Sequence, residues 1–91
     1  MNKDQLINTI GKLAAHYQEM VHTMACMYYD EVYSIEEAQE IMRNDLIKAK
    51  TYRDAFFLKY AGEQLPDIAY PLTDESHDEI ARDEALVKPY L

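Results

Sequence analysis

With a single cysteine, Cys26, the chain cannot close a disulfide within itself, so its fold depends on packing alone. Glycine occurs only at 11 and 62 and proline only at 66, 71 and 89, too few turn formers for a hairpin-rich β fold. Tryptophan is absent, and serine stands only at 34 and 76, which gives serine nucleophile chemistry little to build on. Nucleophile-elbow, phosphate-loop and zinc-spacing motifs are also missing. Base is scarce: nine Lys and Arg against seventeen Asp and Glu leave a net charge of −8. Phosphate backbones and anionic lipid repel such a chain, which argues against direct nucleic-acid binding. The longest unbroken apolar run, Met24 to Tyr29, falls far short of the roughly 18 residues of a membrane span. The opening MNKDQLINTI lacks the apolar stretch of about 7 to 15 residues found in secretory signals. The expectation is therefore a cytoplasmic protein with no membrane contact and no cofactor.

What is present is helical periodicity. Leu6, Ile10, Leu13, Tyr17, Met20, Met24 and Met27 are spaced alternately four and three residues apart, the seam of a helix packed against others. Ile7, Ala14, Val21 and Tyr28 repeat beside it every heptad and widen the apolar face beyond the reach of one neighbour. Ser34 followed by Glu37 forms a capping box that starts a second helix. Its stripe reads Ile35, Ala38, Met42, Leu46, Ala49, Tyr52, Phe56 and Tyr60, ending at Gly62.

The predicted architecture is thus all-α and single-domain: an antiparallel hairpin of helices over 3–30 and 35–61, a proline-containing strap over 62–73, and an acidic helix over 74–88. A chain of 91 residues buries only about 60 to 65% of its unfolded surface, so pairing into a dimeric four-helix bundle through Ile7, Ala14, Val21 and Tyr28 is expected. The acidic segment has a thin apolar stripe, mainly Ile80 and Val87, and is expected to be ordered only on a partner.

Several side-chain groups invite a chemical reading. The run MVHTMACMYY, residues 20 to 29, is rich in soft ligands, yet its methionines share the seam while His22 and Cys26 project elsewhere. Packing, not metal binding, is the expectation. Glu19 and His22 have the three-residue spacing of di-iron bundles, which need further inward glutamates, and both sit opposite the apolar face. Glu36, Glu37 and Glu40, in EEAQE, resemble over five residues the acidic magnesium-binding motif of helical nucleotide pyrophosphohydrolases. That resemblance implies metal-dependent hydrolysis together with a second acidic motif, Glu-x-x-Asp on the next helix, which is not expected to follow here, and the helical wheel turns the three glutamates to solvent. His16 and Asp45 are polar anomalies at the predicted interface, and a turn near residue 32 sets Asp45 opposite Met20, one turn from Tyr17. As buried polar groups they would fix the register of the hairpin.

Charge is distributed unevenly. Residues 1–61 hold nine acids and seven bases (−2), whereas 62–91 hold eight acids and two bases (−6). Asp74, Glu75, Asp78, Glu79, Asp83 and Glu84 come as doublets; on a helix the first two doublets lie one turn, about 6 Å, apart, close to the spacing of successive phosphates. Many small acidic inhibitors of phages and mobile elements present such rows to basic nucleic-acid grooves, a likeness of class. Tyr29, Tyr33, Phe57 and Leu58 fall outside the stripes and suit a protein contact. The functional expectation is a non-enzymatic regulator or inhibitor that mimics nucleic acid and blocks a basic surface of a larger protein. The alternative is an assembly adaptor working through an apolar helical face.

Overall fold

A computed structural model describes residues 2–24, 34–59, 64–66 and 74–91. Three helices follow in chain order: α1, Lys3–Met24, α2, Ile35–Lys59, and α3, Asp74–Val87. A 3₁₀ turn, Lys88–Tyr90, follows α3, and no strand occurs among the described residues. The expected hairpin is present, with α1 packed along α2. Residues 25–30 of the predicted first helix, most of the strap, and Tyr28, Tyr29 and Tyr33 lie outside the described residues.

Each long helix begins on a side-chain cap. The Ser34 Oγ accepts the Glu37 backbone N–H at 3.2 Å, as the capping box predicted, which satisfies one of the helix's orphan donors. At α1 the box is reciprocal: Asn2 Oδ1 accepts the Gln5 N–H at 2.8 Å, and Gln5 Oε1 accepts the Asn2 N–H at 3.1 Å. The α3 helix stops ahead of Pro89, within the terminal 3₁₀ turn, because proline lacks an N–H and restricts the residue before it.

The core joins Leu6, Ile10, Leu13, Ala14 and Tyr17 of α1 to Tyr52 and Phe56 of α2 and to Ile80 and Val87 of α3. Phe56, Ile10, Leu13 and Val87 are the largest fully buried side chains among the described residues, each worth about 1.5 to 3 kcal/mol of transfer free energy. The register follows the expected turn, since Tyr17 meets both Lys48 and Tyr52 across the hairpin.

Two corrections concern what covers α1. Its second face is covered from within the chain: Ala14, expected between two copies, is 0% exposed, and Ile7 is partly buried against the core. Val21 is half-buried. The cover comes from α3, whose thin stripe of Ile80 and Val87 is enough to dock it on its own hairpin. It also comes from the strap, because Pro66 crosses α1 so closely that a Cβ at Gly11 would lie 2.6 Å from the proline Cδ. In addition, Leu46, assigned to the α2 stripe, is 41% exposed; it sits about 80° around the helix from Phe56, at the rim of the buried arc.

Candidate functional site

Where the three helices meet, polar groups converge. The Tyr17 hydroxyl donates to Glu84 Oε1, and Lys48 Nζ donates to the Tyr17 oxygen at 3.3 Å and to Glu84 Oε1 at 3.4 Å. One residue from each helix thus closes a three-way clamp. Lys48 Nζ also lies 5.1 Å from the centre of the Tyr17 ring, within cation–π range, and Tyr17 stacks on Tyr52 at 5.9 Å. A second ion pair, Lys12 to Glu79 at 3.9 Å, links α1 to α3 lower down. Because 12 pairs with 79 and 17 with 84, α3 runs parallel to α1.

The electrostatics of the clamp hold its phenols neutral. Burial, then the hydrogen bond to Glu84 and the charges around it, pushes Tyr17 well above its ordinary 10.0. Burial and the Glu84 charge push Tyr52 up to about 12. A tyrosine serving as nucleophile or base needs the opposite shift, so this arrangement suits a proton that stays in place. Burial also lowers His16 below 6.5, with His77 adding to the effect and Asp45 and Glu84 opposing it.

His16 and Asp45 are both half-buried rather than buried, a correction to their expected placement. They stand at the rim of the α1–α2 interface, where water still reaches them and lowers the cost of placing polar groups there. Among the described residues, the buried polar side chains are those of Thr9 and Ser76, with Thr9 donating its hydroxyl to the Gln5 carbonyl oxygen at 2.7 Å.

Helix geometry splits the acidic row of α3. Glu75 and Asp78 are exposed, while Glu79, Asp83 and Glu84 are intermediate along the edges facing the hairpin, and Glu79 and Glu84 are paired to Lys12 and Lys48. Asp74 opens the helix. The outer side of α3 is a shallow hollow lined by Asp78, Ala81, Arg82 and Ala85, so one base interrupts its acids. On α2, Phe57 is exposed as expected, and Leu58 is 85% exposed with Ile47 at 58%.

The pyrophosphohydrolase-like acids are engaged locally: Glu37 accepts the Ser34 hydroxyl and Glu40 pairs with Arg43. A Glu-x-x-Asp sequence, the second motif of those enzymes, does occur at Glu75 and Asp78, which motif reading can find. It sits at the other end of the hairpin, since α2 starts beside the end of α1 whereas α3 starts below the Lys12–Glu79 pair. Among the described residues, no three His, Cys, Asp or Glu side chains gather as a metal site, and no helix is long and apolar enough to cross a membrane. Comparison with protein-family models, curated proteins and solved structures finds no match to this chain.

Proposed function

We propose that this protein is a non-enzymatic regulator that binds a larger, basic protein through the acidic outer edge of α3. The observation that carries this reading is the exposure of Glu75 and Asp78 on a helix already docked by Ile80 and Val87, in a segment holding −6 of the −8 net charge. A preordered acidic edge binds without the cost of folding on contact, and the surrounding field speeds encounter with a cation-rich surface.

The test is capture from the native host's lysate on immobilised protein, eluted with a salt gradient. Wild type should retain a basic protein that leaves at moderate salt. The double variant Glu75→Gln, Asp78→Asn should retain none and melt as wild type does, because neither side chain holds α3 in place. Undiminished capture by the double variant would sink the proposal.

A second reading, assembly through an apolar face, is supported by Leu58 and Ile47, which the fold leaves open on α2. Association of that kind would respond little to salt.

A further inference from the structure

Ile47 and Leu58 lie three turns apart, about 16 Å along α2, and within about 20° of one another around the helix. Thr51, exposed between them, donates its hydroxyl to the Ile47 carbonyl oxygen at 2.8 Å. Its donor is therefore used within the helix. Beside this strip Lys50 and Asp54 form an ion pair at 2.6 Å. The Lys50 hydrogen bond, with added attraction from Lys50 and Arg53, holds the Asp54 carboxyl below its usual value, which favours its carboxylate form.

We propose that α2 pairs antiparallel with α2 of a second copy of this chain, about a two-fold axis passing between residues 52 and 53. The inference rests on the assembly reading above and names its partner. In that register Ile47 faces Leu58 of the second copy, at both ends of the contact. Lys50 comes within one residue of Asp54 of the second copy, so two internal ion pairs meet as a ring of alternating charge, the same-flank pairing of antiparallel helices.

Charge favours this occupant. Residues 35–59 carry five acids, Glu36, Glu37, Glu40, Asp45 and Asp54, and five bases, Arg43, Lys48, Lys50, Arg53 and Lys59. The element is neutral in a chain of −8. Copies meeting through α2 keep their acidic α3 helices out of the contact, and a two-fold axis requires the self-complementarity that this strip has. A single helix pair buries less than the roughly 1,200 to 2,000 Å² of a stable interface, so the dimer forms only as concentration rises.

Sedimentation equilibrium of the full chain from micromolar to millimolar concentration is the test. Wild type should show a monomer–dimer equilibrium. Leu58→Lys or Lys50→Glu should weaken it about tenfold or more with an unchanged melt, and Lys50→Glu combined with Asp54→Lys should restore it. A wild type that stays monomeric, or a dimer indifferent to these changes, overturns the inference. Capture by Leu58→Lys then separates the two ideas: if this variant loses a captured protein while wild type is monomeric, the assembly reading survives with a different partner. If it loses none, both fall.

Discussion

Tyr17 shows how one hydroxyl ties three helices. Its ring lies in the core between α1 and α2 while its oxygen reaches Glu84 on α3 and accepts from Lys48 on α2. Tyr17→Phe keeps the ring and removes the donor, so urea melts should show a loss of about 1.5 to 3 kcal/mol, the range for a hydrogen bond to a charged group. His16 bears on the same junction through pH. Its proton affinity is lowered in the folded chain, so on acidification the unfolded chain takes up a proton near 6.5 before the folded one does, and stability falls as pH drops below that value. Melts at about pH 7.5 and about pH 5.5 should show a larger acid loss for wild type than for His16→Gln.

At the level of elements, close packing overrides local preference. Alanine is a better helix former than glycine by about 1 kcal/mol, yet at Gly11 its methyl would lie 2.6 Å from Pro66 Cδ and 2.9 Å from Phe56 Cε2. Overpacking of this kind costs about 1 to 3 kcal/mol. Gly11→Ala should therefore lower the denaturant midpoint, and the loss should shrink in a Pro66→Ala background. The hairpin was legible in the sequence because Leu6, Ile10, Leu13 and Tyr17 state their periodicity and Ser34 its cap. The Asn2 cap was equally legible, since Asn followed three residues later by Gln is the same pattern with other side chains. Docking of α3 was not: Ile80 and Val87 declare a face without saying whose core it meets. The clamp of Tyr17, Lys48 and Glu84 needs three elements placed together, which no local pattern encodes. Leu46 misled because a stripe read at 100° per residue does not mark where the buried arc ends.

For the whole molecule, the arrangement gives α1 two flanks, one covered by α2 and the other by α3 and Pro66. The expectation of a second chain over Ala14 came from counting apolar faces correctly while assigning the third layer to the wrong source. The contacts across those flanks also differ in range along the chain. Tyr17 meets Lys48 across a separation of 31 residues and Glu84 across 67, a difference of only about 0.7 kcal/mol in loop-closure entropy at equilibrium. During synthesis the separation becomes time. The residues of the α1–α2 hairpin are all present once Lys59 is made, whereas Val87 follows after about 1 to 6 s at ordinary rates of elongation. In a chain cut short in the strap, the α1 flank that Ile80 and Val87 cover would stand wet. The third helix is thus both the lid on the hairpin's sticky side and the carrier of most of the net charge.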